Sequence, residues 1–346
     1  MDKYSQKSCV LLIYTGGTIG MMKDATSGSL KPFDFDNLMS YVPEIRLLDH
    51  EVETIGMSRI LDSSDMTPSS YIELACIIEA NYEDYDGFVV LHGSDTMSYT
   101  ASALSFMFEN LQKPVIFTGS QLPIGDLRTD AKENLITTIQ LAGLKEKGKP
   151  VIREVGLYFE YKLYRANRTT KVNADHFEAF ESANYPALAE SGVDLKVNYS
   201  ALYRAPAKKK LIVHKELEEN IMILKVFPGI NEEVMKNMLL VPNLKGIILE
   251  TFGSGNTKTD RWFIDLLRSM IDKGIAVVNV SQCIGGSVIM GKYETSEQLL
   301  QMGMISGKDI TTESALAKLM FLLTKNLTPD VMKTLFETSL RGEISH

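Results

Sequence analysis

The 346-residue chain predicts an α/β fold of two domains, each a mostly parallel sheet flanked by helices, the larger one N-terminal and the smaller C-terminal. Three observations carry this. The length exceeds what one compact core usually organises and falls short of three. An apolar fraction of 45% supplies substantial cores. Short β-branched runs alternate with segments of helical period, the pattern of parallel βαβ units.

The elements follow in order. Residues 10–14 read as the first strand. Thr67-Pro68 supplies a cap and a proline at the first helical position, opening a helix through Ile72 and Ile78 that ends before Asp86-Gly87. Residues 88–92 form a buried strand. Leu104, Met107, Phe108 and Leu111 recur at helical spacing and predict a helix over 101–111. A strand at 114–118, a helix around 135–144 and a strand at 155–159 follow. Weak periodicity, clustered charge and nearby prolines mark 198–210 as a linker between an N-terminal domain, 1–197, and a C-terminal domain, 211–346. The second domain has strands at 221–226, 246–250 and 275–280, with helices between them and after Thr311 and Thr328.

Composition excludes several classes. No stretch approaches the roughly 20 apolar residues of a membrane span, and the early run from Cys9 is too short for a secretory signal. A cytoplasmic protein is expected. Cys9, Cys76 and Cys283 lie far apart in apolar surroundings, which suits reduced core thiols rather than disulfides or a zinc site. A net charge of −8 opposes sequence-independent nucleic-acid binding, and the basic strip Lys208, Lys209 and Lys210 reads as solvated linker.

In an open parallel sheet, ligands bind beyond the carboxyl ends of the strands. Three predicted strands end in loops of one character: Thr15-Gly16-Gly17-Thr18-Ile19-Gly20, His92-Gly93-Ser94-Asp95-Thr96 and Thr118-Gly119-Ser120-Gln121. Glycines let backbone approach a ligand closely, and hydroxyls offer donors or nucleophiles. Any one such loop is an ordinary strand ending; three on one rim suggest a small polar ligand. A hydroxyl nucleophile needs a base. The five histidines fall at no metal-ligand spacing, and no Gly-x-Ser-x-Gly elbow occurs. Lys171 remains, in Asn167-Arg168-Thr169-Thr170-Lys171, and would serve only if neutral. By composition alone it reads as a surface lysine.

Two phosphate-loop patterns fail. Gly286-Ser287-Val288-Ile289-Met290-Gly291-Lys292-Tyr293 has Walker A spacing, but Tyr293 replaces the magnesium-holding hydroxyl. Thr15 stands where a dinucleotide loop needs its first glycine.

Tyr14-Thr15-Gly16-Gly17-Thr18-Ile19-Gly20-Met21, Asp62-Ser63-Ser64-Asp65-Met66-Thr67-Pro68, Leu91-His92-Gly93-Ser94-Asp95-Thr96-Met97 and Asn167-Arg168-Thr169-Thr170-Lys171 together resemble the bacterial L-asparaginases, specifically the cytoplasmic type I branch. The resemblance runs in order along nearly the whole chain. It implies an amidohydrolase that converts L-asparagine to aspartate and ammonia, assembled as a homodimer or homotetramer, with no metal or organic cofactor. It also implies roles: Thr18 as the nucleophile of an acyl-enzyme, Ser94, Asp95 and Lys171 as a proton relay with Lys171 the base, and Ser63, Ser64 and Asp95 as the substrate's α-carboxylate and α-amino contacts.

The chain departs from the family pattern in three places. Ser94 replaces the usual threonine, keeping the hydroxyl without the methyl that restricts its rotamer. No tyrosine occurs at 21–31, where many members carry one in a mobile lid; the matching residues here are Gly28, Ser29 and Leu30. Thr170, Asn256 in Gly253-Ser254-Gly255-Asn256, and Cys283 match an activating asparagine site, but Glu250 stands where an arginine is expected, so altered or absent activation is expected. Two alternatives compete: the amidotransferase subunit that feeds ammonia to mischarged tRNA, which generally carries an extra N-terminal domain, and a non-catalytic amino-acid sensor, which would not need Thr18, Ser94 and Lys171.

Overall fold

A computed structural model describes residues 7–23, 30–32, 41–204, 206, 209–291 and 294–345. The chain divides into two compact units, Met1–Lys215 and Glu216–His346. Residues 28 and 29, discussed above for the lid, and Lys208 lie outside the described residues, as do Lys292 and Tyr293 of the Walker-like run.

The first unit is built on an eight-stranded sheet. Its strands are β1 (Ser8–Gly16), β2 (His50–Leu61), β3 (Gly87–Leu91), β4 (Val115–Thr118), β5 (Val155–Phe159), β6 (Lys162–Arg165), β7 (Ala189–Glu190) and β8 (Lys196–Val197). They lie in the order β8-β7-β6-β5-β4-β3-β1-β2. The run from β2 to β5 is parallel, and β6, β7 and β8 add an antiparallel edge. Every residue of β3, β4 and β5 is buried, as expected for strands covered on both faces.

Helices α1 (Pro68–Ala80), α2 (Met97–Met107) and α3 (Ala131–Gly143) cross between these strands. Pro68 opens α1 as its sequence indicates, with the Thr67 N–H donating to Ser70 Oγ at 3.4 Å. The helix expected over 101–111 is displaced: α2 begins at Met97 and stops at Met107. Phe108 and Glu109 instead pair antiparallel with Val213 and Ile212, and Asn110 takes φ 63°, which helical backbone cannot. Within the expected linker, Ala201 is 3% exposed and belongs to the first unit's core.

The second unit holds four parallel strands, β9 (Ile221–Lys225), β10 (Gly246–Thr251), β11 (Ala276–Ser281) and β12 (Ile305–Ser306), in sequence order. Helices α4 (Glu232–Met238), α5 (Arg261–Asp272), α6 (Glu294–Gln301), α7 (Thr312–Leu323) and α8 (Pro329–Phe336) accompany them. Thr311 caps α7 by accepting the Ser314 N–H at 3.2 Å. The sole tryptophan, Trp262, sits on α5, edge-on to Phe263 with ring centroids 5.6 Å apart. Lys318 on α7 is wholly buried. Its ammonium donates to the carbonyls of Phe336 at 2.6 Å and Thr338 at 2.7 Å and to the Glu343 carboxylate, itself wholly buried.

Cys283 corrects the expectation of core thiols: it is exposed, and Cys9 and Cys76 are only half-buried. It follows β11 in an open turn, where its N–H donates to Ser281 Oγ at 3.0 Å. An apolar strand beside a cysteine marks the strand's burial and not that of the residues after it.

Candidate active site

The carboxyl ends of β1, β3 and β4 bring the three Gly-hydroxyl loops together. Gly16 and Gly17 adopt φ of 131° and 89°, which residues with a Cβ rarely take. The approach at Gly17 is close: a Cβ there would lie 2.5 Å from Gly93 Cα and N, and one on Gly93 would lie 2.5 Å from Ser63 Oγ. Glycine is thus what lets the loops of Thr18, Ser63 and Ser94 touch.

Most hydroxyls of these loops are committed to backbone. Thr15 Oγ1 donates to Leu91 O at 2.9 Å, Thr96 Oγ1 to Ser63 O at 2.6 Å, Thr118 Oγ1 to Tyr158 O at 2.9 Å and Ser120 Oγ to Leu122 O at 2.6 Å. They staple the rim. Thr18 differs: it opens the 3₁₀ turn Thr18–Gly20, is partly exposed, and its hydroxyl has no hydrogen-bond partner among the described residues. Tyr14 holds that turn from below, its OH donating to Gly20 O at 3.1 Å. Burial pushes the Tyr14 phenol up to about 12, so it stays protonated at neutral pH.

Ser94 and Lys171 meet. Lys171 Nζ lies 2.9 Å from Ser94 Oγ and 2.6 Å from Asp95 Oδ1. The lysine side chain is 17% exposed and the Asp95 side chain 69%. Lys171 is delivered by the short strand Thr170–Lys171, paired antiparallel with Phe180–Glu181. The surface reading of Lys171 that composition favours is therefore overturned by its place in the fold.

Ser63 is 4% exposed and starts the 3₁₀ turn Ser63–Asp65. Asp62 fixes that turn, its Oδ1 accepting the Ser64 N–H at 2.9 Å and the Ser64 hydroxyl at 2.8 Å, and these bonds hold its carboxyl below the usual range. Ser64 is exposed, with both donors occupied. Gln121, to which the sequence alone assigns no role, joins this group. Gln121 Oε1 accepts from Ser94 Oγ at 3.2 Å, and Nε2 donates to Ala174 O at 3.1 Å and His176 O at 3.0 Å. The Asp130 carboxylate holds the Gln121 N–H at 2.9 Å. Its place in the strand-end loop Thr118-Gly119-Ser120-Gln121 was the signal available.

Of the three residues matched to an activating site, Thr170 lies in the first unit, Asn256 and Cys283 in the second. The Asn256 N–H donates to Phe252 O at 2.8 Å, closing the turn after β10. Glu250 Oε1 accepts from Thr312 Oγ1 at 2.7 Å, with Lys225 Nζ 3.8 Å from Oε2. Among the described residues no cluster of metal-ligating side chains occurs, and no helix is long and apolar enough to cross a membrane.

Fold and rim together define an α/β protein whose adjoining strand-end loops carry a threonine hydroxyl without a hydrogen-bond partner among the described residues on one loop and, on the next, a serine and a carboxylate bound to a lysine. Comparison with known proteins gives the family. Residues 9–203 match the model of the asparaginase N-terminal domain and residues 220–336 that of the glutaminase/asparaginase C-terminal domain. The chain is 41% identical over 344 residues to L-asparaginase 1 of Escherichia coli K12, covering 98% of this chain and 99% of that protein. The crystal structure of L-asparaginase I from Vibrio cholerae superposes with a TM-score of 0.89 at 40% identity, covering 99% of this chain and 100% of that one. The thermostable L-asparaginase from Thermococcus kodakarensis gives a TM-score of 0.88 at 29% identity, over 98% and 99% of the two chains. The chain belongs to the asparaginase family.

Proposed function

We propose that this chain is a cytoplasmic L-asparagine amidohydrolase, assembled as a homodimer or homotetramer, that releases ammonia through an acyl-enzyme on Thr18. One observation carries the assignment of residues: the Thr18 hydroxyl is uncommitted on a rim where Lys171 Nζ stands 2.9 Å from Ser94 Oγ. Thr18 Oγ attacks the side-chain amide carbon, and its proton passes through Ser94 to a neutral Lys171. Backbone N–H groups of the glycine loops stabilise the oxyanion, a donor of this type contributing about 3 kcal/mol. The amide nitrogen takes a proton from the relay and leaves as ammonia. Water then cleaves the Thr18 ester, releasing aspartate.

Substrate is held by complementary charge. The exposed carboxylate of Asp95 suits the α-ammonium, and the turn at Ser63 and Ser64 would take the α-carboxylate once Ser64 releases its bonds to Asp62. Glu250, already bonded to Thr312, would repel a second asparagine's carboxylate, so activation through Thr170, Asn256 and Cys283 is absent or altered. Sigmoidal asparagine kinetics that became hyperbolic in a Cys283→Ala or Thr170→Ala variant would refute this.

The test of the reaction is ammonia release from L-asparagine and, separately, L-glutamine, beside a Thr18→Ala control. Release from asparagine that vanishes in the control is expected. Absence of release over a wide substrate range would sink the reading.

A further inference from the structure

One buried titratable group on the rim has no part in the reaction just described. His92 directly follows β3 and immediately precedes Gly93-Ser94-Asp95, and it is 0% exposed. Its Nδ1 lies 2.7 Å from Gly93 O, while Nε2 is buried with no hydrogen-bond partner among the described residues. A carbonyl oxygen only accepts, so Nδ1 carries the proton and Nε2 is the ring's acceptor. The ring rests against Phe117, centroids 5.9 Å apart. Burial holds the imidazole down at about 4, so it is neutral at physiological pH and this tautomer persists.

An apolar ring of similar size could fill this buried position, so what the imidazole adds there is its Nδ1–H, held 2.7 Å from Gly93 O. Among the described residues no peptide bond is cis. In a trans peptide the carbonyl and the next N–H point in opposite directions. The bond that draws Gly93 O toward the buried ring thus turns the Ser94 N–H away from it. It also removes rotation of the one glycine-flanked peptide that leads into the lysine-bound serine.

We propose that His92 is a positioning residue: its Nδ1–H fixes the Gly93–Ser94 peptide plane and so sets where Ser94 presents its hydroxyl to Lys171. The proposal deepens the amidohydrolase reading and rests on it for the role of Ser94. Ser94 lacks the β-methyl that would restrict its own rotamer, so orientation has to come from backbone and neighbours.

The test compares the intact wild-type enzyme with His92→Phe, which keeps the ring volume and drops the N–H, and His92→Asn, whose side-chain amide N–H stands about where Nδ1–H does. Thermal melting first establishes that both variants fold. His92→Phe is expected to melt no lower than wild type, yet to lose about 10- to 100-fold in kcat, the scale of a small misplacement, with KM changed much less. His92→Asn is expected to recover a large part of that kcat. A kcat within twofold of wild type in His92→Phe, or equal losses in both variants, overturns the proposal. Crystal structures give a readout that needs no turnover. In His92→Phe the Gly93 carbonyl should rotate and the Ser94–Lys171 contact lengthen, whereas an unchanged rim overturns the proposal. Failure of wild-type ammonia release would count against the amidohydrolase reading alone.

Discussion

At the scale of single residues, the rim separates hydroxyls that build from one that is available. Thr15, Thr96, Thr118 and Ser120 spend their protons on carbonyls, and Thr18 has no such partner among the described residues. Lys171→Met should therefore keep the fold and lower kcat by about 10²–10⁴-fold, the usual loss when a proton-transfer group is removed; steady-state ammonia assays and melting curves check both halves. Ser94→Thr should remain active, because it retains the hydroxyl that Lys171 and Gln121 contact, and Ser94→Ala should not. A second residue-scale prediction concerns pH. Glu160 is pushed up to about 7 by burial and by the carboxylates of Asp130, Glu133 and Glu178. A carboxyl whose folded pKa exceeds its unfolded value favours folding when protonated, and that contribution is lost as pH rises through about 7. Glu160→Gln should melt higher than wild type above that pH, and the two should converge below the unfolded value near 4.5.

At the scale of elements, the glycine at a strand end sets how near two loops come. Gly17→Ala would place a Cβ 2.5 Å from the Gly93 backbone at φ 89°, so the Thr18 and Ser94 loops must separate. The expected outcome is a stability loss of about 1–3 kcal/mol with activity reduced further, measured by denaturant titration and ammonia release. The same elements explain what the sequence could reveal. β3 and β5 are apolar throughout and were legible as strands, as were the strand-end loops that hold Thr18 and Ser94. β2 was not: its twelve residues, His50–Leu61, are mostly exposed and half of them polar, and what makes them a strand is parallel pairing with β1. β6, β7 and β8 are short antiparallel additions with no period long enough to read. Lys171 looked like a surface lysine because its partners are 76 and 77 residues away. The helical spacing of Phe108 and Leu111 misled because Phe108 is drawn into a distant strand pair with Val213.

At the scale of the whole molecule, the two units carry different burdens. Every residue assigned to the reaction, from Thr18 to Lys171, belongs to the first. In the second, α7 and the segment ending at Glu343 are joined through buried charge. Removing one member of such a pair typically costs about 3–5 kcal/mol, whereas replacing both by apolar groups costs less. Lys318→Met should accordingly lower the melting temperature strongly, and Lys318→Met combined with Glu343→Leu should recover part of it. A double variant no more stable than the single one would show that the bonds from Lys318 to Phe336 O and Thr338 O matter more than the pair. The single tryptophan has a practical consequence. Trp262 lies in the second unit, so selectively excited indole emission reports on that unit, whereas every residue assigned to the reaction lies in the other. An optical unfolding curve taken this way can stay flat while turnover disappears, and a refolding trace can reach its plateau before any catalyst has formed.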